Sequence, residues 1–354
     1  MLEKQLKEWF LRSLKQWHLH QNKREMPWKG ERDPYKIWLS EIILQQTRVE
    51  QGWAYYERFI EQYPTVHHLA QSVDNEVFKL WEGLGYYNRC RNLLTTARKI
   101  SSELNGQFPM TKEGLLALKG VGGYTAAAIG SFAFGLPLAV LDGNVYRILS
   151  RVFGIQEPID QSKGKFLFEQ LANELLDTKH PAAHNQAMMD FGATVCTPKN
   201  PNCNCCPFAD QCVAFQKKMQ HLLPTKAKKI KSKQRFLYYL LLECNQQRLV
   251  RKRGEGDIWK DLYEFYLVEK DEPADELELK RNEFWSTQKI ITPKQINFLS
   301  DQLIHQLTHQ KIHSRILSVS LTKKINIEGY EWVDRAAFKQ LALPRLITRF
   351  LETY

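Results

Sequence analysis

No apolar run in this 354-residue chain approaches the length that spans a bilayer. The N-terminus, MLEKQLKEWFLRSLKQW, lacks the pattern of a secretory signal. Leu2, Leu6, Trp9, Leu14 and Trp17 recur near helical spacing, and Glu3 and Glu8 argue against an acid-poor transit peptide. No internal repeat is present. Cysteine is scarce, seven in all, yet five of the seven fall within CTPKNPNCNCCPFADQC (196–212). The expectation is a cytoplasmic protein in a reducing compartment, where clustered cysteines point to a metal rather than to disulfides. Hydrophobic residues make up 43% and charged residues 25%, an ordinary soluble composition. Acidic residues are outnumbered: the net charge is +11 and the sequence pI about 9.2. That balance favours a polyanionic partner, nucleic acid first, with a merely solvated basic surface as the alternative.

Residues 1–225 read as almost wholly helical. Asp33 and Pro34 open one helix, with proline at the first helical position. Pro64, Gly83 and Gly85, Pro109, Gly120 to Gly123 and Pro137 punctuate the rest. VYRILSRVFGI (145–155) sets Val145, Ile148, Leu149, Val152 and Phe153 on one helical face. KAKKIKSKQR (226–235) carries six basic residues in ten with no apolar period and reads as a linker. The β-rich run RFLYYLLLE (235–243) follows it. In RILSVSL, Leu317, Val319 and Leu321 alternate, which predicts a half-buried strand. DRAAFKQLALPRLITRFLETY predicts two short helices divided at Pro344. An α+β domain therefore follows an all-α region.

Cys196, Cys203, Cys206 and Cys212 form C-x6-C-x2-C-x5-C in one compact loop. Structural zinc sites more often use two close pairs across a longer loop, and four thiolates meet the requirement of a [4Fe–4S] cluster; spacing by itself leaves zinc as the alternative. Cys205 is left over, and Cys90 and Cys244 read as ordinary buried thiols. In LKGVGGYTAAAIGSF, Gly120, Val121 and Gly122 separate two helix-like stretches. The following helix would turn its first N–H groups toward an anion, a phosphate grip, unless this is only a tight helix–helix turn. Glu41 and Gln45 lie four apart on one helical face, and Asp142 stands just before a helix. Taken singly, Glu41 reads as a surface carboxylate pairing with Arg48, and Asp142 as an N-cap. Together they could form a carboxylate pair across a cleft, one protonating a leaving group and one steadying an oxocarbenium-like sugar.

These stretches, in this order, resemble the adenine DNA glycosylases of the MutY type. The matching segments are MPWKGERDPYKIWLSEIILQQTRVEQ (26–51), WEGLGYYNRCRNL (81–93), LKGVGGYTAAAI (118–129), LDGNVYRIL (141–149), HNQAMMDFGATVC (184–196) and the cysteine loop. The resemblance is dense over about residues 5–222 and looser beyond. It implies a helix-hairpin-helix six-helix module (about 30–137) and an iron–sulfur helical module (about 1–29 plus 138–225). A basic linker (226–234) and a Nudix-like domain (235–354) would follow. It implies excision of adenine, flipped out of double-stranded DNA, from a mispair with 8-oxoguanine or guanine by a nucleoid-associated monomer. Glu41 would be the general acid at adenine N7. Asp142 would stabilise the sugar cation or bond to it, with Tyr124 and Asn144 assisting. Arg24, Trp28 and Gln186 would line the adenine pocket. Gln46 and Tyr86 would wedge into the base stack, beside Thr47 and Leu84 near the opposite base.

The C-terminal stretch GDIWKDLYEFYLVE (256–269) resembles the family's Nudix-like domain, with Asp261 where glycine is usual. No R-E-x-x-E-E helix is seen, so pyrophosphohydrolase activity is not expected. The family's Phe-Ser-His loop for 8-oxoguanine aligns with Leu307, Thr308 and His309, in a stretch carrying His305 and His313 as well. The hydroxyl and the imidazole are kept and the aromatic is not; an exposed loop threonine is the plain alternative. An endonuclease-III-type glycosylase with lyase activity is the nearest rival. It needs a Schiff-base lysine where this chain has Tyr124. A non-catalytic iron–sulfur DNA-binding protein is another rival, and it would need neither Glu41 nor Asp142.

Overall fold

The computed structural model describes residues 3–227, 232–281 and 296–353. The chain divides into two compact units, Met1–Gln71 with Arg91–Lys229, and Ser72–Cys90 with Ile230–Tyr354. A boundary at the basic linker does not foresee that Ser72–Cys90 groups with the second unit. Lys228 to Lys231 of that linker lie outside the described residues.

The first unit is helical. Its helices are α1 (Lys4–His20), α2 (Pro34–Leu44), α3 (Val49–Gln62) and α4 (Val66–Gln71). α5 (Asp74–Leu80) falls in the second unit, and α6 (Asn88–Glu103) runs out of it into the first. The first unit continues with α7 (Lys112–Leu116), α8 (Gly123–Phe134), α9 (Gly143–Phe153), α10 (Ser162–Leu175), α11 (Pro181–Thr194) and α12 (Val213–Gln216). Asp33 caps α2 by accepting from Tyr35 N–H, and Pro34 takes the first position, where a missing N–H costs nothing. α8 is built on alanines, with Ala126, Ala127 and Ala128 buried, so α2 packs closely on it. α1 buries Phe10, Leu14 and Trp17 against α9–α11 and the cysteine loop. There Phe10 stacks on Phe208 at 4.7 Å. Val145, Ile148, Leu149 and Val152 of α9 enter the same core, each fully buried branched side chain contributing roughly 1.5–3 kcal/mol.

The second unit centres on a mixed sheet in which β2 (Gln247–Lys252), β1 (Lys233–Cys244), β7 (Gln310–Ser320) and β5 (Ile296–Leu299) are successive neighbours. β3 (Tyr263–Glu264) extends the β2 edge, β4 (Tyr266–Lys270) pairs β1, β6 (Leu303–Gln306) pairs β7, and β8 (Glu331–Asp334) pairs β2. β1 and β7 run parallel from Lys233–Gln310 to Glu243–Ser320. The half-buried strand expected around Leu317 is instead buried on both faces. Ile312 and Ile316 enter one core, and Leu317 and Val319 enter the other. Parallel central strands are covered on both sides, and alternation is then lost. Arg235, read as the end of the basic linker, lies in β1 and is buried, paired with Asp257 and Glu269. Helices at Arg335–Gln340 and Arg345–Thr353 flank Pro344. Among the described residues, no helix is long and apolar enough to cross a membrane.

Candidate active site and cysteine loop

Glu41 sits on the buried face of α2 and is only 4% exposed, so it is no surface partner for Arg48. Burial pushes its carboxyl up to about 7. The Tyr124 phenol, which donates a hydrogen bond to it, pulls the other way, and the charge of Asp142 pushes further up. Asp142 is the N-cap of α9, accepting from Val145 N–H at 2.8 Å and from the Asn144 side-chain amide at 2.6 Å. Burial raises its carboxyl too, against those hydrogen bonds and the charge of Arg147. Asp142 is thus both a cap and a near neighbour of Glu41. The Tyr124 phenol, under both carboxyls, is held well above its ordinary range, chiefly by burial. Gln45 closes α2 and donates to Thr125 Oγ1 at 3.3 Å, tying α2 to α8. Gly192 of α11 makes room for Asn144, since a Cβ there would meet the Asn144 Cβ at 2.5 Å.

Arg24 and Gln186 come together through a residue that the sequence reading missed. Asp190 of α11 is fully buried. One of its oxygens accepts from Arg24 Nη1 at 3.1 Å and Gln186 Nε2 at 2.9 Å. The other accepts from Asn22 Nδ2 at 2.8 Å and pairs with Lys29 Nζ at 3.1 Å. The i,i+4 spacing of Gln186 and Asp190 was the available signal. Trp28 packs edge-on against Tyr56 at 5.3 Å.

Gln46 is exposed, and its backbone is left-handed, φ 58°. Thr47 follows it, its N–H bonded to Leu44 O. In the hairpin, Gly120 has φ 81°, and a Cβ there would strike Asn92 at 2.7 Å. Gly122 is not left-handed: it precedes α8, and a Cβ on it would meet nothing. Val121 is buried between them. The first turn of α8 has no side-chain cap, so its N–H groups are left for an outside acceptor.

In the second unit, Leu84 is buried and Tyr86 is 52% exposed. Tyr86 is also left-handed, φ 48°, between the positive-φ Gly85 and Tyr87. Arg89 Nη2 donates to Leu84 O at 3.2 Å, and Trp81 Nε1 donates to Gly85 O at 3.0 Å, which fixes this turn. Thr308 and His309 are exposed at the tip of the β6–β7 hairpin. The Thr308 hydroxyl lies 3.1 Å from the Tyr86 hydroxyl. Leu307 is partly buried and packs against the core beneath the tip. His305 and His313 are not in this loop; they belong to β6 and β7. Asp261 has φ 69°, the conformation that explains a glycine preference there and that Asp tolerates better than most.

Cys196, Cys203, Cys206 and Cys212 line one small pocket, walled by Phe191, Phe208 and Phe215; Cys205 is exposed and lines a different pocket. Arg151 Nη1 points a donor at Cys196 Sγ (3.5 Å), and Gln220 Nε2 points one at Cys203 Sγ (3.8 Å). Among the described residues, no three His, Cys, Asp or Glu side chains are grouped so as to hold a single metal ion. Arg147 and Arg151, also unforeseen, join this loop to α9. Arg147 donates to Cys196 O at 2.7 Å and to Asn144 Oδ1 at 2.8 Å. Arg151 donates to Thr197 O at 2.7 Å.

Residues 39–174 match the HhH-GPD superfamily of base excision DNA repair proteins, and residues 237–353 match the NUDIX domain. Among solved structures, a thermostable thymine-DNA glycosylase is similar at TM-score 0.56 and 28% identity, over 60% of this chain and 98% of that one. An endonuclease III–DNA complex shares the fold at TM-score 0.54 and 24% identity, over 62% of this chain and 100% of that one. Fold and site together define a base-excision DNA N-glycosylase with a Nudix-like C-terminal region. The chain is 31% identical to the adenine DNA glycosylase of Buchnera aphidicola subsp. Schizaphis graminum, over 96% of each. It is 44% identical to that of Rattus norvegicus over 59% of this chain and 42% of that one. The chain belongs to the adenine DNA glycosylase family.

Proposed function

We propose that the protein removes adenine mispaired with 8-oxoguanine or guanine in double-stranded DNA, by hydrolysis, leaving an abasic site. The observation that carries this is Glu41: a fully buried carboxyl held at about 7, beside a second carboxyl that caps a helix. Adenine is a poor leaving group as an anion, so departure requires a proton, and an acid titrating near 7 is half-loaded at neutral pH. Glu41 gives that proton to adenine N7 as the bond from N9 to the sugar breaks. Asp142, its anion supported by Val145 N–H and Asn144, faces the cationic sugar. Water adds to the sugar carbon, and its released proton returns to a carboxylate, which restores the starting state. Tyr124 donates to Glu41 and keeps its pKa from rising further. The hairpin at Gly120, Val121 and Gly122 takes a phosphate on the first N–H groups of α8. Gln46 and Tyr86 serve as wedges, and their left-handed backbones are the kind of local strain that functional positions retain. Thr47 follows Gln46 directly and Leu84 stands two residues before Tyr86, and both are assigned to the opposite base.

The test is an assay on duplexes with adenine opposite 8-oxoguanine, guanine or thymine, followed by hot alkali. Release of adenine that needs alkali for strand scission supports the reading. Efficient borohydride trapping of an enzyme–DNA adduct supports the lyase rival instead.

The four cysteines fit a [4Fe–4S] cluster: they are thiolate donors around one cavity, with N–H groups directed at two of the sulfurs. Cys196, Cys203, Cys206 and Cys212 would supply the thiolate ligands, and the cluster, when bound, would supply the iron that ties them into one loop; hydrolysis asks no redox step of it. Cys203→Ser is expected to lose the visible iron–thiolate absorbance and to weaken DNA binding, whereas Cys205→Ser should retain both. Iron analysis and a binding titration on the two variants check this.

Thr308 is assigned to reading 8-oxoguanine, because a hydroxyl both donates and accepts. One neutral hydrogen bond is worth about 0.5–1.5 kcal/mol, so Thr308→Ala should cost at most about tenfold in preference for 8-oxoguanine over guanine. The measurement is the ratio of single-turnover rates at fixed salt. An unchanged ratio removes Thr308 from lesion reading.

A further inference from the structure

We propose that Asp190 is the positioning residue that sets which purine the protein excises. The inference rests on the reading of Arg24 and Gln186 as base contacts. A buried carboxylate only accepts, so the Gln186 amide must turn its nitrogen toward Asp190, as the 2.9 Å contact requires. Its Oε1 is thereby fixed as an acceptor, and no hydrogen bond to it is found among the described residues. An acceptor suits the 6-amino group of adenine, which donates. It opposes the 6-oxo group of hypoxanthine or guanine, which accepts. The same carboxylate holds Arg24 at 3.1 Å and, through Asn22 and Lys29, the segment that carries it. Lys29 Nζ also donates to Arg24 O at 2.6 Å, so cation and amide are set by one anion. Asp190 itself need touch no substrate; it acts by deciding which atom of Gln186 is presented.

Asp190→Asn removes that decision. An asparagine offers either its N–H or its oxygen to Gln186, so the Gln186 amide is free to turn and present N–H to a 6-oxo purine. The experiment compares single-turnover rates on duplexes carrying adenine or hypoxanthine opposite 8-oxoguanine, for the full-length wild-type and variant proteins. The adenine-to-hypoxanthine ratio should fall by about tenfold or more in Asp190→Asn. Gln186→Leu, at a half-buried position, should lower the ratio by itself, and adding Asp190→Asn to it should change the ratio no further. A merely structural Asp190 would lower both rates together and leave the ratio alone, and that result overturns the proposal. So does a Gln186→Leu variant that keeps the wild-type ratio, should Asp190→Asn fail to fold. A wild-type protein that releases neither base overturns the glycosylase reading as well, so the two failures are told apart.

Discussion

Glu41→Gln is expected to slow single-turnover adenine release by roughly 10²–10⁴-fold, the usual weight of a general acid. The amide keeps the shape of α2's buried face and removes the proton. In the wild type, activity should decline as pH rises through about 7, because the acid is then emptied; in the variant that alkaline decline should vanish. The wild-type stability should fall over the same pH range, and here the substitution should help rather than harm. The carboxyl titrates near 7 when folded against an ordinary 4.5, so the native state holds the proton more tightly than the unfolded chain. The stability associated with that proton is complete below about pH 4.5 and is lost as pH rises through about 7. Above that, burying the ionised group costs about 3 kcal/mol. Glu41→Gln should therefore unfold at higher denaturant than wild type at pH 8, and the gain should disappear at pH 4. A variant of undiminished rate, or one stabilised equally at both pH values, sinks the assignment.

Asp142→Asn is expected to cost roughly 10²–10³-fold or more in the same assay, as the loss of a preorganised electrostatic partner does. Asparagine caps helices about as well as aspartate, so α9 and DNA binding should survive. That separates charge from capping, two roles that this residue fills at once. Far-ultraviolet circular dichroism and a binding titration with an abasic-site analogue provide the controls. A rate within a few-fold of wild type leaves Asp142 as a cap only.

Much of the site was legible because its chemistry is local. Asp33 followed by Pro34 announces a helix start, and the five cysteines in seventeen residues mark the loop whose Cys196, Cys203, Cys206 and Cys212 line one pocket. What stayed hidden depends on long-range burial. Glu41 on a helix face says nothing of the 4% exposure that raises its pKa. Asp190 collects donors from residues 166 and 168 positions earlier, and no spacing rule reaches so far. Arg147 and Arg151 look like solvated charges on an amphipathic helix, yet both are buried, their guanidinium groups spent on carbonyls of the cysteine loop. The left-handed backbones at Gln46 and Tyr86 are invisible too, since neither residue type favours that conformation. In the sheet, RILSVSL alternates like a half-buried strand, but the parallel pairing of β1 with β7 buries both of its faces.

The grouping of Ser72–Cys90 with the second unit bears on the order in which a growing chain closes. Glu82 accepts from Leu343 N–H at 2.8 Å, and Lys79 donates to Leu341 O at 3.1 Å. These partners stand about 260 residues apart. During vectorial synthesis, the helices built on near neighbours gather first, while this early stretch waits for almost the last residues made. A premature stop codon near the linker would thus do more than delete the sheet. It would strip Glu82 and Lys79 of their partners and Tyr86 of its Thr308 contact, leaving a wound inside the message's first third.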